Sequence, residues 1–466
     1  MPCKKIRNRH TAVTCFVLAA LLCLPACGGA ARAEESGVQI DEAHFPEAIL
    51  REAVSGYDLD QDGILREEEA EKVDILNMDA AGIASLQGIE YLPALQELYC
   101  GYNNLTELDV SRNTRLQVLD CSRNQLTELD VSRNTGLREL KCNGNSLTKL
   151  DVSRNTGLQV LDCGSIRSKE LNMSRNAELE ELDLSRNAEL KELYCAQAGL
   201  HQLDLSGNPK LEILYCGGNP LQTLDLSRNM KLKEINCFAG ILKELDISMC
   251  PELKKLDCAY GRLKKLDVSH NTELEQLYCD ANRLSELDVS GNTKLERLHC
   301  RNNQLTELDV SNNTALSRLR CNNVELKGIS MLTGLEELSI LYCRVDKLDL
   351  SLYPNLSELE CAGCGLTELD TSSNECLYTL SCGDNRLTEL NLAKNRILHF
   401  LNCSGNQLAK LDISHCPVLV RTVRDNECER GPQEICWRML KPQATEYTVV
   451  EAYLYIAPDT ELITGE

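Results

Sequence analysis

Residues 58–69 read DLDQDGILREEE and set carboxylates where a hard cation can be held: Asp58, Asp60, Asp62 and Glu69 occupy positions 1, 3, 5 and 12 of a twelve-residue loop. Calcium takes only oxygen ligands, and three short carboxylates with one longer one can surround it. Gly63 at the sixth position allows the sharp turn, Ile64 at the seventh can add a backbone carbonyl, and Leu65 supplies the apolar eighth residue of an EF-hand loop. Asp58, Asp60, Asp62, Ile64 and Glu69 are therefore a candidate calcium set. Its role is read as structural, because a single hand has no paired hand to open against. The competing reading is a calcium-free helical cap with an acidic turn. Upstream, FPEAILREAV can bury Phe45, Ile49, Leu50 and Val54 on one helical face, and a second short helix is expected from Arg66 to Lys72.

A second group of residues is suited to binding rather than to bond making. Tyr99, Tyr194, Tyr215, Phe238 and Tyr278 are followed by Arg297, His299, Arg301, Arg318 and Arg320. Tyrosine and arginine are enriched at interface hot spots. In a chain of formal charge −22, these basic-capable residues read as a local positive patch for an acidic protein or an anionic glycan. The alternative is that neighbours such as Glu296 and Asp280 simply keep the face solvated. No arrangement supports catalysis: H-E-x-x-H, G-x-S-x-G and phosphate-loop patterns are missing and the seven histidines are scattered. The net acidity argues against nucleic acid, whose phosphates require a basic face.

What positions these residues is a repeat. From Leu95 the chain reads LQELYCGYNNLTELDVSRNTR, then LQVLDCSRNQLTELDVSRNTG from Leu116, a 21-residue period that continues to the start at Leu398. A divergent first repeat starts at Val73. The register breaks twice, with an extra eleven-residue half, LEELDLSRNAE, at 179–189 and a repeat shortened to nineteen residues from Leu316. In LxxLxC, inward Leu and Cys alternate with outward variable residues, the signature of a strand with one buried face. The following Asn, as at Asn103 and Asn124, falls where the chain turns and backbone groups lose their ladder partners, which its amide can satisfy. A second Asn, as at Asn113 and Asn134, does the same after LDVS. The Asp of LDVS is read as a structural, solvated ladder, with a row of calcium sites as a weaker alternative.

Most of the 25 cysteines follow the same period, Cys100, Cys121 and Cys142 being the first of the series. Stacked about 4.8 Å apart with parallel Cβ vectors, they disfavour disulfides and are expected as buried free thiols. Cys250 and Cys416 replace the second turn Asn, and Cys343 and Cys364 replace the first. Cys361 and Cys364 form a C-x-x-C on a strand and its turn rather than at a helix start, so redox catalysis is not expected. Cys428 and Cys436 lie beyond the clear repeats and are a candidate disulfide of a C-terminal cap.

This repeat resembles that of bacterial leucine-rich-repeat proteins of the internalin family, most closely the internalin J type, which also carries Cys at an inward strand position. The resemblance covers residues 73–418. It implies a curved horseshoe with a parallel β-sheet on its concave face and a role in adhesion or partner recognition.

The expected organisation has four parts. The first is a signal peptide over residues 1–33, or 1–26 with Cys27 lipidated at the box Leu24-Pro25-Ala26-Cys27. The basic start and apolar run Thr11–Ala26 imply export. A small helical, EF-hand-like cap follows over 34–72, then the leucine-rich-repeat solenoid over 73–418 and a C-terminal cap over 419–466. Attachment to a membrane is expected only through an N-terminal lipid, because no later segment is apolar enough to span one. The reading is a monomeric exported protein that binds a protein or glycan at a cell surface. The alternatives are an envelope-assembly scaffold binding components of its own cell and, marginally, an enzyme.

Overall fold

In the computed structural model, the structure describes residues 37–164, 179, 182–345, 348–424, 429–430, 436–437, 453–457 and 460–465. Short strands with alternating exposure, such as Glu97–Tyr99 and Gln276–Tyr278, turn their central residue inward. Each pairs in parallel with the strand of the next repeat, so that Leu98 lies beside Leu119 and Leu277 beside Leu298. One long sheet thus runs in chain order from Ile75–Asn77 to Phe400–Asn402. The result is a parallel β-solenoid with few helices.

A single repeat shows how the layer is built. Leu95, Leu98, Cys100, Leu105 and Val110 are all fully buried. Removing a leucine side chain from water stabilises by about 1.5–3 kcal/mol, but only when neighbouring repeats cover both edges of the layer. The ladder cysteines fill narrow space on the same inner side: Cys121, Cys142 and Cys279 are fully buried and carry free thiols. Burial pushes these thiols up, to about 12 at Cys216, so they act as small apolar groups at neutral pH.

Two asparagine columns close the turns. In the first, the Asn124 amide donates to the carbonyls of Cys100 and Cys121 at 2.9 and 3.0 Å, and its Oδ1 accepts the Leu105 amide at 3.0 Å. In the second, the Asn134 amide donates to Val110 and Asn113 at 2.9 Å each. Among the described residues, the Oδ1 atoms of Asn113, Asn134, Asn292 and most others of that column meet no partner, whereas that of Asn395 accepts the Thr371 hydroxyl at 2.7 Å. The column therefore needs only a donor, which explains its replacements. Cys416 donates its thiol to the Asn395 carbonyl at 3.5 Å, and Tyr353 its hydroxyl to Ile329 at 3.0 Å. The Asp of LDVS is likewise structural: Asp109 accepts the Ser111 amide at 2.8 Å, and Asp267 accepts that of Ser269 at 2.9 Å.

The first register break resolves differently from the sequence expectation. Asn187 donates to the Asn155 carbonyl at 2.9 Å, and Asp162 pairs directly with Tyr194. Residues 182–189 are thus the ordinary second half of a repeat, and the surplus chain falls between residues 164 and 182. At the shortened repeat, the five-residue strands Arg318–Asn322 and Glu337–Leu341 pair along their whole length. KGISMLTG closes it with a single 3₁₀ turn at Ile329–Met331.

At the N-terminus, helix α1 (Ala48–Ser55) buries Leu50 and Val54. Helix α2 spans only Glu67–Ala70, shorter than expected because the chain enters the solenoid at the fully buried Val73. The Glu47 carboxylate accepts the amides of Ala84 and Ser85 at 2.8 and 3.1 Å, tying this segment to the first repeat. Phe45 packs where a Cβ on Gly88 would lie 2.3 Å from its ring, and Gly88 has φ +111, so only glycine fits there. At the other end, helix α3 covers Pro417–Arg424. The tail then adds one more turn: Tyr453–Tyr455 pairs in parallel with Phe400–Asn402, and Glu461–Ile463 with Lys410–Asp412. Cys436 lies in a strand opposite Arg430, whereas Cys428 and the lipidation candidate Cys27 fall outside the described residues. No helix among the described residues is long and apolar enough to cross a membrane.

Replacing Asn292 by Ala would leave the buried carbonyls of Val268 and Asn271 without their donor. The expected cost is about 2 kcal/mol, read as a lower urea midpoint. An unchanged midpoint would show that the second column is dispensable.

Candidate functional site

The acidic loop follows α1 directly. Gly63 takes φ +80, the left-handed conformation that a loop's sixth residue needs for its sharp turn. Ile64–Arg66 then forms a strand antiparallel to Gly37–Gln39, with Ile64 opposite Gln39. Of the five candidate ligands, the structure gathers Asp58, Asp60 and Glu69, whose carboxylate oxygens lie within 4.8 Å of one another. The loop is held in shape by its own acids. Asp58 accepts the Gly63 amide at 2.9 Å, and the buried Glu69 accepts the amides of Leu59 and Arg66 at 2.8 and 3.0 Å.

Arg66 was not foreseen as part of this loop's chemistry. Its guanidinium bridges Asp60, at 3.0 Å, and Asp62. The hydrogen bond from Arg66 holds the Asp62 carboxyl below its usual range. Asp58, Asp60 and Glu69 would supply part of the oxygen set that a calcium ion takes, with Arg66 competing for Asp60.

The second candidate group lies on the solvent side of the sheet. Tyr194 and Tyr215 meet edge to face with centroids 5.1 Å apart. Tyr278 and His299 do the same at 4.8 Å. Phe238 sits just past its strand against Tyr260, at 5.2 Å, and both rings are exposed. Such pairs add about 0.5–1.5 kcal/mol to simple burial and hold flat apolar surface in fixed positions. Tyr194 and Tyr215 are further fixed by hydrogen bonds to Glu192 and Glu234.

The arginines are brought together as expected, but not as an unopposed positive patch. Arg318 reaches Glu337 at 3.1 Å, Arg320 reaches Glu337 and Glu358 at 3.4 and 4.0 Å, and Arg301 pairs with Glu360. The nearby Tyr278 hydroxyl, which donates to Gln276 at 3.1 Å, raises the Arg297 guanidinium above its usual value. His299 is pushed down to about 4, first by burial and then by Arg320, Arg301 and Arg318, so it is neutral at physiological pH. This part of the face presents alternating, mutually compensated charges. The glutamates that compensate them stand on later repeats, so the stretch 297–320 alone gave no sign of them.

Sequence reasoning also missed a column of alternating charge on the same face. Asp120, Lys141 and Asp162 occupy successive strands at one outward position. Burial pushes the Asp162 carboxyl up to about 6, against the hydrogen bond from the Gly164 amide.

With this geometry in hand, comparison with known proteins is informative. Residues 93–134 match a model of leucine-rich repeats in two copies. The chain is 32% identical to the functional domain of internalin J from Listeria monocytogenes, a structure that includes a cysteine ladder; the match covers 82% of this chain and 79% of that one, with a TM-score of 0.66. The chain belongs to the internalin family of leucine-rich-repeat proteins. A leucine-rich-repeat protein of Leptospira interrogans shares the fold at 21% identity, covering 73% of this chain and 92% of that one with a TM-score of 0.64. The Listeria monocytogenes internalin InlF does so at 19% identity, covering 78% and 97%, with a TM-score of 0.56. A search of curated sequences finds no match. In this internalin-family chain buried cysteines recur along the sheet, and the internalin J structure likewise includes a cysteine ladder.

The raised Asp162 carboxyl gives a pH test. Its stabilising contribution is fully present below the unfolded value near 4 and is lost as pH rises through about 6. Asp162→Asn should therefore raise stability at pH 7 by about 1–2 kcal/mol, and the gain should vanish below pH 4. Urea midpoints of the two proteins at both pH values check this; equal midpoints at pH 7 would contradict it.

Proposed function

We propose that this chain is an exported, adhesin-like binding protein that engages a protein partner through the solvent face of its long sheet, with calcium stabilising the N-terminal segment. The observation that carries the reading is the arrangement of that face. Fixed aromatic pairs at Tyr194–Tyr215 and Tyr278–His299 stand beside compensated ion pairs on one long sheet. Three strand spacings separate Tyr215 from Tyr278, about 14 Å at about 4.8 Å each, which is the scale of a protein surface patch. Because Arg301, Arg318 and Arg320 already face Glu337, Glu358 and Glu360, a partner of mixed charge is favoured over an anionic glycan. Export is supported by the basic and apolar order of the first residues.

The binding test uses the soluble 34–466 fragment on host-cell membranes and on envelopes of the producing cell. Replacing Tyr215 and Tyr278 together by Ala should lower retention on host membranes at least about tenfold, the loss of about 1.4 kcal/mol, while circular dichroism stays unchanged. Capture only by the producer's envelope would favour an assembly scaffold. Retention on an immobilised polyanion that Arg318→Glu abolishes would favour the glycan.

Calcium at Asp58, Asp60, Asp62, the Ile64 carbonyl and Glu69 would add charge-balancing bonds at the one end of the solenoid that lacks a preceding repeat. Saturating calcium, at about a hundred times the dissociation constant, should stabilise by about 2.7 kcal/mol. Asp60→Asn should remove most of that gain without touching the backbone bonds made by Asp58 and Glu69. Arg66→Ala should tighten calcium binding by freeing Asp60 and Asp62. Isothermal titration and thermal melts with calcium or chelator read both effects; a calcium-insensitive wild-type protein would leave the acidic loop as a metal-free cap.

A further inference from the structure

The first asparagine column fails across three successive repeats, where Val324, Cys343 and Cys364 stand in its place. At the same point Ile340 interrupts the cysteine ladder, lying in register beside Cys321 on the neighbouring strand. Cys321 therefore has no ladder sulfur beside it on that side. It has Cys343 instead, with the two sulfurs 3.7 Å apart and both residues buried. Cys343 reaches this position because Tyr342 takes φ +56 just after the strand, turning the chain inward.

The pair differs from neighbours along the ladder. Cys100 and Cys121 sit at equivalent positions of parallel strands, so their Cβ vectors run side by side. Cys321 lies in a strand, whereas Cys343 comes from the turn that follows the next strand and approaches it at a different angle. We propose that Cys321 and Cys343 form a disulfide that staples adjacent repeats where the asparagine column is interrupted.

The chemistry needs only a small disulfide such as oxidised glutathione as oxidant. The Cys343 thiolate attacks one glutathione sulfur, forming a mixed disulfide and releasing one glutathione thiolate. The Cys321 thiolate then attacks the Cys343 sulfur and releases the second glutathione. Two cysteine thiols are oxidised, one glutathione disulfide is reduced to two thiols, and the two cysteine protons end on them. The contact with Cys321 lowers the Cys343 thiol, whereas Cys321 is raised, so Cys343 is the attacking group. Cys364 is half-buried beside this pair and donates its thiol to the Ile340 carbonyl at 2.8 Å, which leaves it outside the bond.

The test uses the full chain, purified reduced and equilibrated with oxidised and reduced glutathione, and in parallel exported to a bacterial periplasm. Free thiols are blocked with N-ethylmaleimide in denaturant without reductant, and the digest is read by mass spectrometry. The expected result is a cross-linked peptide joining Cys321 to Cys343, with both residues protected from alkylation. Cys343→Ser should restore full alkylation of Cys321, and reductant should lower the melting midpoint of the wild type but not of that variant. Should Cys343→Ser fail to fold, Cys364→Ser must still yield the same cross-linked peptide. Complete alkylation of both residues, or recovery of Cys343 joined to Cys364, would overturn the proposal.

Discussion

Every repeat must turn twice around an apolar core, and each turn strips backbone carbonyls of their sheet partners. The two asparagine columns resolve that conflict, and the rest of the molecule depends on them. Asn124 donates to a carbonyl of the preceding layer as well as to its own turn, and Asn134 donates to two carbonyls of the preceding layer, so the bond that closes a turn also joins neighbouring repeats. A buried carbonyl left unpaired costs about 1–3 kcal/mol, comparable to what one buried leucine contributes. The spacing of 21 residues is thus fixed as much by hydrogen bonding as by leucine packing.

Because those bonds and the leucines account for all inward positions, the outward ones are released from packing. Their chemistry changes along the sheet: the alternating column Asp120, Lys141 and Asp162, aromatic pairs in the middle, and a network of arginines and glutamates beyond. In a chain of net charge −22 the last of these is locally balanced. A face that already satisfies its own charges gains little from binding a polyanion, and most from a partner that covers the tyrosines while keeping the ion pairs intact.

Much of this was legible in the sequence, and the limits follow from range. The leucine and asparagine periods, the buried thiols and the acidic loop positions are all set within one repeat or one loop, where spacing alone determines neighbours. The pairing of Arg301 with Glu360 crosses 59 residues and two intervening strands, so no local pattern announces it. The placement of the surplus residues was misjudged for a related reason: two identical SRNAE stretches, ending at Glu178 and Glu189, fit the same slot, and only the bond from Asn187 to Asn155 decides between them. In the acidic loop, the positions of Asp58, Asp60 and Glu69 were readable, whereas the competition from Arg66 depends on a side-chain conformation.

A solenoid held by nearest-neighbour contacts is weakest where a neighbour is missing or a column breaks. The first column is interrupted at Ala198, Gly240 and Gly261 as well, but three such places carry a device of their own. The N-terminal edge is covered by α1 and its acidic loop, with Glu47 and Phe45 as the ties. The C-terminal edge is covered by the tail, which supplies strand Tyr453–Tyr455 and buries Leu454. Between them, the run Val324, Cys343 and Cys364 gives up the amide bonds and gathers thiols in their place. Cys416 and Tyr353 show that a single donor can maintain the second column, but in the first column the asparagine both donates and accepts, and Val324 can do neither. The thiols at Cys321 and Cys343 are the groups in position to offset that loss by a contact of another kind.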